Sequence, residues 1–303
     1  MKKIPVGATI AHAYGFAFGD FLKILGVMWL PMAITWLPGI LFRSRIQALS
    51  AQMMAHDFSA MSQMMTILLP LYLVSAVLAF MLILGIAQQA LGTRQGSPWF
   101  YFALGKPLWR LIGSVILLVV AVLIGWIVVW LGIALLAVAS GFLTKLIVNS
   151  IFAMLMGAIV VVLSAALWCG WFYSVVRLGF LLTPVVAAGE PGFALGRAWT
   201  LGLGNFWRMF GVLLVTALPF LLLEGVAIYF VMKGISLPAG PAGQAAYQAA
   251  VNARTQALID QVMHYWYISS PIGIALMVIL YGSVTGAQCF AYKALASDEV
   301  AGG

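Results

Sequence analysis

Between Arg110 and Arg177 the chain carries one charged side chain, Lys145, in a run otherwise built mainly from Leu, Ile, Val, Ala and aromatic residues. A bilayer-spanning helix needs about 20 apolar residues, because only a helix satisfies its own backbone polar groups in hydrocarbon. This tract is long enough for two. Four further apolar tracts bring the expectation to six spans, at 21–42, 66–90, 111–140, 150–176, 206–232 and 271–292. Charged residues make up 7% of the chain, against about 25% in soluble domains. The expected class is therefore all-α: a polytopic membrane protein forming one domain over 1–303. Pro5, Gly7 and His12 interrupt the start MKKIPVGATIAHA, so the first span is expected to stay as an anchor and not act as a cleaved leader.

Charge sets the orientation. Lys2, Lys3, Lys23, Arg94, Lys106, Arg110, Arg177, Arg197, Arg208 and Lys293 fall on the N-terminal side of these spans, and Arg43, Arg45, Lys145, Lys233 and Arg254 on the other. The positive-inside bias then places both termini in the cytoplasm, with the chain in the inner membrane. The net charge of +8 is scattered at span ends and not gathered in a polar domain. Anionic lipid, not nucleic acid, is the expected counterpart.

A mixed motif recurs in this apolar chain. FAFGDFLKILGV at 16–27 and LGLGNFWRMFGV at 201–212 align at an offset of 185, with Asp20 on Asn205 and Lys23 on Arg208. KPLWRLIGSV at 106–115 adds a third copy, with Arg110 on the two cations and Gly113 on Gly26 and Gly211. Three pseudo-repeated hairpins are expected, over about 1–92, 93–188 and 189–303. A second echo, QALSAQMM at 47–54 and QALIDQVM at 256–263, lies before the second span of the first and third hairpins. The loops 43–65 and 234–270 around it read as amphipathic helices, the second reached through the PAGPAG linker at 238–243.

Upstream of each elbow, apolar residues at helical spacing (Ile10, Ala13, Tyr14, Ala17, Phe18; Leu195, Trp199, Leu203) predict short interfacial helices. Gly19 or Gly204 is expected to end them in a left-handed conformation, and Asp20 or Asn205 to cap the next helix with its side chain. In the second copy Pro107 takes the first helical position. Lys23, Arg110 and Arg208 then stand in the first turn of a span, where a cation opposes the helix dipole. A long basic side chain there can snorkel to the headgroups, favoured by lipid phosphate, by the positive-inside bias, or by both. These three are the candidate headgroup-binding residues.

The run RLGFLLTPVVAAGEPGFALGRAWTLGLGNFWRMFGVLL resembles the membrane domains fused to some bacterial glycerophosphodiester phosphodiesterases and the related stand-alone YciC-type inner-membrane proteins. The resemblance rests on Arg177, Pro184, Gly189, Glu190, Ala198, Trp199, Asn205, Phe206, Trp207 and Arg208, and is strongest over 170–215. It implies a polytopic membrane domain and brings no defined activity. With Gly303 ten residues past Lys293, no phosphodiesterase domain is expected to follow.

Enzyme signatures are missing. His12, His56 and His264 lie on separate segments with no metal-ligand spacing, and Cys169 and Cys289 have no partner pattern. No phosphate loop, dinucleotide fingerprint or nucleophile elbow occurs, so no catalytic residue, metal or cofactor is expected. The pairs Gly15–Gly19, Gly192–Gly196 and Gly282–Gly286 are what 31 glycines give by chance and carry no weight as dimer signals. Gln88 and Gln288 are placed to pair across helices.

Glu224 is the exception in this apolar pattern. It lies about 24 Å past Arg208 at 1.5 Å per residue, deep enough to cost about 2.5–3.5 kcal/mol. The carboxyl must be protonated, meet a polar group on another helix, or face water; Lys145 and Asn149 are the nearest candidates for company. Pro219, five residues earlier, is expected to free a carbonyl one turn back. Glu224 is the candidate intramembrane polar site. The functional expectation is a non-enzymatic membrane protein that binds or moves lipid or a small amphipathic solute. The alternative is an assembly or regulatory module that docks on a membrane protein partner.

Overall fold

The structure, a computed structural model, describes residues 2–54, 58–94, 99, 101, 104–146, 150–232, 249–251, 253–254, 257 and 266–296. Among these residues it is helical, with no strand. The elements are α1 (Val6–Gly19), α2 (Phe21–Leu41), α3 (Arg43–Met54), α4 (Phe58–Leu91), α5 (Lys106–Leu146), α6 (Ser150–Phe180), α7 (Leu182–Ala187), α8 (Ala194–Leu201), α9 (Phe206–Met232) and α10 (Trp266–Ala296). Five helices are long and apolar enough to cross a membrane, and the pair α1–α2, bent by 69°, makes a sixth if it counts as one broken span. Each of the six expected spans corresponds to one long helix, with ends shifted by up to eight residues. The chain is a multi-pass helical membrane protein.

Consecutive long helices pack in pairs: α2 on α4, α5 on α6, α9 on α10. The first helix α1 joins the last, α10, burying Thr9, Ala13, Phe16 and Ala17. The interfacial helix expected at the N-terminus thus has one face built into the bundle. Of the three small-xxx-small pairs, only Gly282–Gly286 is crowded by another helix: a Cβ on Gly282 would stand 3.2 Å from Ala17 Cα, whereas Gly15 and Gly19 have nothing within 4 Å and Gly196 meets only the nearby Phe193 ring, at 3.2 Å. Close approach of α1 to α10 within the chain is the use of that pair.

The core lies at one end. Ile24, Met28, Met81, Leu84, Met209 and Val212 meet there, close to the elbows. The apolar run LLTPVV at 181–186 forms most of α7, in which Leu182, Pro184, Val185, Val186 and Ala187 are all buried against α4, α5, α8 and α10. Burying this apolar area among helices is favoured, and backbone bonds to the flanking residues, Val185 N–H to Leu181 O at 3.2 Å and Ala188 N–H to Pro184 O at 2.8 Å, extend the short helix at both ends. Toward the other end, residues 221–226 of α9 are exposed on every side among the described residues.

Pro219 has the consequence its chemistry demands. Lacking an N–H, it leaves the Val215 carbonyl without its helical donor, and the Tyr14 hydroxyl donates to that oxygen at 3.2 Å. The kink-prone point of α9 is thereby tied to α1. In the outer loops, α3 packs on α4 and α2; His56, Asp57, Asn149, the PAGPAG run, His264 and nearly all of 256–263 lie outside the described residues.

Candidate functional site

The elbows form the polar end of the molecule, and they differ from one another. In the first, α1 ends at Gly19 without a left-handed residue, and Asp20 at φ −101° makes the turn. Contrary to the expectation from sequence, the Asp20 carboxylate does not cap α2; it takes the Lys23 ammonium at 2.7 Å. In the third, Gly204 does adopt φ +70°, but the Asn205 side chain is likewise no cap. Its Oδ1 accepts the Ile4 N–H at 3.0 Å, and its Nδ2 donates to the carbonyls of Lys2 at 3.0 Å and Leu203 at 3.2 Å.

The reason is tertiary. Ile4 is fully buried, so the irregular backbone around it must find partners inside the protein. A carboxamide offers both a donor and an acceptor, which a carboxylate cannot. The Asp-to-Asn difference between the two elbows matches this difference in duty.

The two arginines make the same kind of bond. Arg110 Nη2 donates to Gly192 O at 2.7 Å and Arg208 Nη1 donates to Ile4 O at 2.8 Å. Gly192 stands two residues before α8, and Ile4 two residues before α1. Each guanidinium thus fastens the approach to a short helix onto the start of a long one, and Arg208 closes the chain's first segment onto its last third. Lys23, with 57% of its side chain exposed, bonds only within its own elbow. The three cations lie at the same end of the bundle, but no bond joins them to one another.

Behind the elbows, the motif of 177–208 resolves into one joint. Arg177, 3% exposed, ends α6 beneath α8 and donates through Nε and Nη2 to Trp199 O at 3.0 and 2.7 Å, and through Nη1 to the Tyr173 hydroxyl at 2.9 Å. Its guanidinium carbon lies 3.7 Å from the centre of a Trp199 ring. Trp199 O belongs to the last turn of α8, where carbonyls have no helical donor and a cation is favoured. Gly189 and Gly192, both with φ near +80° (74° and 85°), make the turn before α8. Between them Glu190 accepts from Arg197 Nε at 2.6 Å and from the Tyr292 hydroxyl. The reach of Arg177 to α8 was missed in the sequence, although Arg177, Glu190, Arg197 and Trp199 all stand in the quoted run.

Further bonds link the helix ends here. Lys293 Nζ donates to Ala90 O at 2.9 Å, and Thr93 Oγ1 reaches Ala187 O at 3.5 Å. A cavity of about 790 Å³ lies among Thr93, Glu190, Arg197, Tyr292 and Lys293. Gln88 does not pair with Gln288: its Oε1 accepts the Tyr101 hydroxyl at 2.9 Å. Burial raises the pKa of the Tyr101 phenol, with Arg94 opposing, so Tyr101 stays a donor.

A second cavity, about 680 Å³, opens beside the third elbow between α6 and α9, with Lys3 and Arg208 at its rim and Cys169, Phe172, Phe206 and Phe210 along it. Neither cavity reaches Glu224. That residue is exposed on α9, whose packing partners are α1, α6 and α10, not α5 with Lys145. Glu224 has no bonded partner among the described residues to offset the cost expected of an acid in mid-span. Glu224→Leu is therefore expected to raise the thermal midpoint of the purified protein, with Glu224→Gln in between. The scale is the penalty of about 2.5–3.5 kcal/mol for an acid at mid-span. A fall on substitution by Leu would reveal a polar partner at Glu224 instead.

No family model, curated protein or solved structure matches this chain.

Proposed function

We propose that this is a non-enzymatic inner-membrane protein that binds anionic phospholipid headgroups through the elbow end of its bundle, with both termini in the cytoplasm. The observation that supports it most is the gathering of the elbow cations Lys23, Arg110 and Arg208 at one end, each at the start of a long apolar helix and none buried. The helix dipole disfavours a cation there, whereas an anionic surface favours one by about 1 kcal/mol. The charge asymmetry between the ends orients that surface toward the cytoplasmic leaflet. The likeness of the three elbows is read as an internal repeat that presents three headgroup contacts.

Lipid retained through gentle extraction and counted per protein in the folded fraction tests this. Changing Lys23, Arg110 or Arg208 singly to Gln should lower the retained anionic lipid modestly. The triple change should weaken it by about 100-fold, at about 1 kcal/mol per charge. Lys23→Gln is the cleanest single variant, since its side chain bonds only Asp20. An unchanged lipid level in the folded triple variant would refute the reading.

A second reading, a module that docks on a membrane protein partner, draws on the α5–α6 hairpin. Its outer faces stay exposed along most of their length, with Trp126, Trp130, Ile151 and Met154 uncovered. Native mass spectrometry separates the two by what travels with the chain: lipid favours the first, a protein the second.

A further inference from the structure

The three elbows are unequal, and the third has features the others lack. Lys23 is neutralised by Asp20. Arg208 stands at the rim of an open groove and shares it with a second cation, Lys3, whose ammonium has no partner among the described residues. Arg208 commits one of its five N–H donors to Ile4 O, and the others remain for a ligand. Below this rim the groove is apolar. Phe172, on α6, faces Phe206 and Phe210, on α9, with ring centres 6.4 and 5.6 Å apart. Cys169 lines it one helical turn deeper along α6 than Tyr173. Charge at the membrane surface above an aromatic slot that descends into the bilayer is the shape of one amphiphile.

Resting on the headgroup reading above, we propose that this groove is a discrete site for a single anionic phospholipid. Its phosphate sits between Lys3 and Arg208, and one acyl chain lies along Phe172, Phe206 and Phe210 toward Cys169. The other cavities fit less well. Those between α5 and α6 have no charged lining residue. In the cavity beside α8, Glu190, Arg197 and Lys293 already bond within the protein.

Cys169 supplies the probe, being exposed while Cys289 is buried. The full chain, purified in a neutral detergent, is labelled with a fluorescent maleimide while phosphatidylglycerol or phosphatidylcholine is added to the micelles; Cys169→Ser identifies the signal. Phosphatidylglycerol should slow labelling severalfold and phosphatidylcholine should not. Lys3→Gln, an exposed change that breaks no bond among the described residues, should raise the phosphatidylglycerol concentration needed by about fivefold, the value of one charge near an anionic surface. Equal effects of the two lipids, or an unchanged requirement in Lys3→Gln, would overturn the site. Lys3 is not among the three elbow cations, so the outcomes separate. Loss of lipid from the triple elbow variant, with Cys169 blind to phosphatidylglycerol, would leave headgroup binding standing and remove the groove.

Discussion

Exchange of Arg177 for Lys should lower the thermal midpoint of the purified protein clearly, and exchange for Leu should lower it further. The guanidinium holds Trp199 O with two N–H groups and the Tyr173 hydroxyl with a third, and its carbon lies 3.7 Å from the centre of a Trp199 ring. Lysine offers a single ammonium centre, which cannot reproduce a planar fork and a stacking face together. A hydrogen bond to a charged group contributes about 1.5–3 kcal/mol, and a buried group left unpaired costs about 1–3 kcal/mol. A loss of about 2 kcal/mol for Lys and about 4 kcal/mol for Leu follows from these ranges. Fluorescence-detected size exclusion after heating reads the midpoint; Arg110→Gln, with a single bond at an exposed position, is the comparison and should shift it least. A lysine variant as stable as the parent would mean that charge alone, not the fork, holds α8 to α6.

That joint shows where sequence reasoning reached its limit. Apolar length identified the long helices, because the bilayer makes the requirement one of counting: about 20 residues without charge. The elbow positions were also legible, since a polar residue and a cation between two apolar runs have few places to go. The free carbonyl before Pro219 was legible too, being a covalent property of proline. Choice of partner was not. Asp20 and Asn205 both read as caps, yet one takes Lys23 and the other takes the backbone of residues 2–4. A short polar side chain near a helix start has several acceptable partners, and a segment 200 positions away decided between them. The slot beside Arg208 was hidden for the same reason: Phe172 and Phe210 come together only when α6 packs on α9. Burial of α7 was hidden because LLTPVV is too short to register as a span.

Substitution of Gly282 on α10 gives the other large expected effect, opposite in sign to the same change at Gly15 on α1, although both stand in small-xxx-small pairs in the sequence. Gly282→Ala would place a Cβ 2.9 Å from Ile24 Cδ1 and 3.2 Å from both Cα and Cβ of Ala17. The Ile24 methyl is the end of a flexible side chain and can turn away. The Ala17 backbone can yield only if α1 moves off α10, which would uncover Ala13 and Ala17, both fully buried. Overpacking of this kind costs about 1–3 kcal/mol, less the gain of about 0.5–1 kcal/mol from replacing Gly by Ala within a helix. Gly282→Ala should therefore lower the thermal midpoint, and Gly282→Leu, which cannot fit without separating the helices, should lower it much more. At Gly15, in the middle of α1 with nothing within 4 Å, only the propensity gain applies, and Gly15→Ala should match or exceed the parent. If Gly282→Leu instead keeps the parental midpoint, α1 does not rest on α10 in the membrane. The Asn205 and Arg208 bonds to residues 2–4 would then have to hold the N-terminal segment without that support.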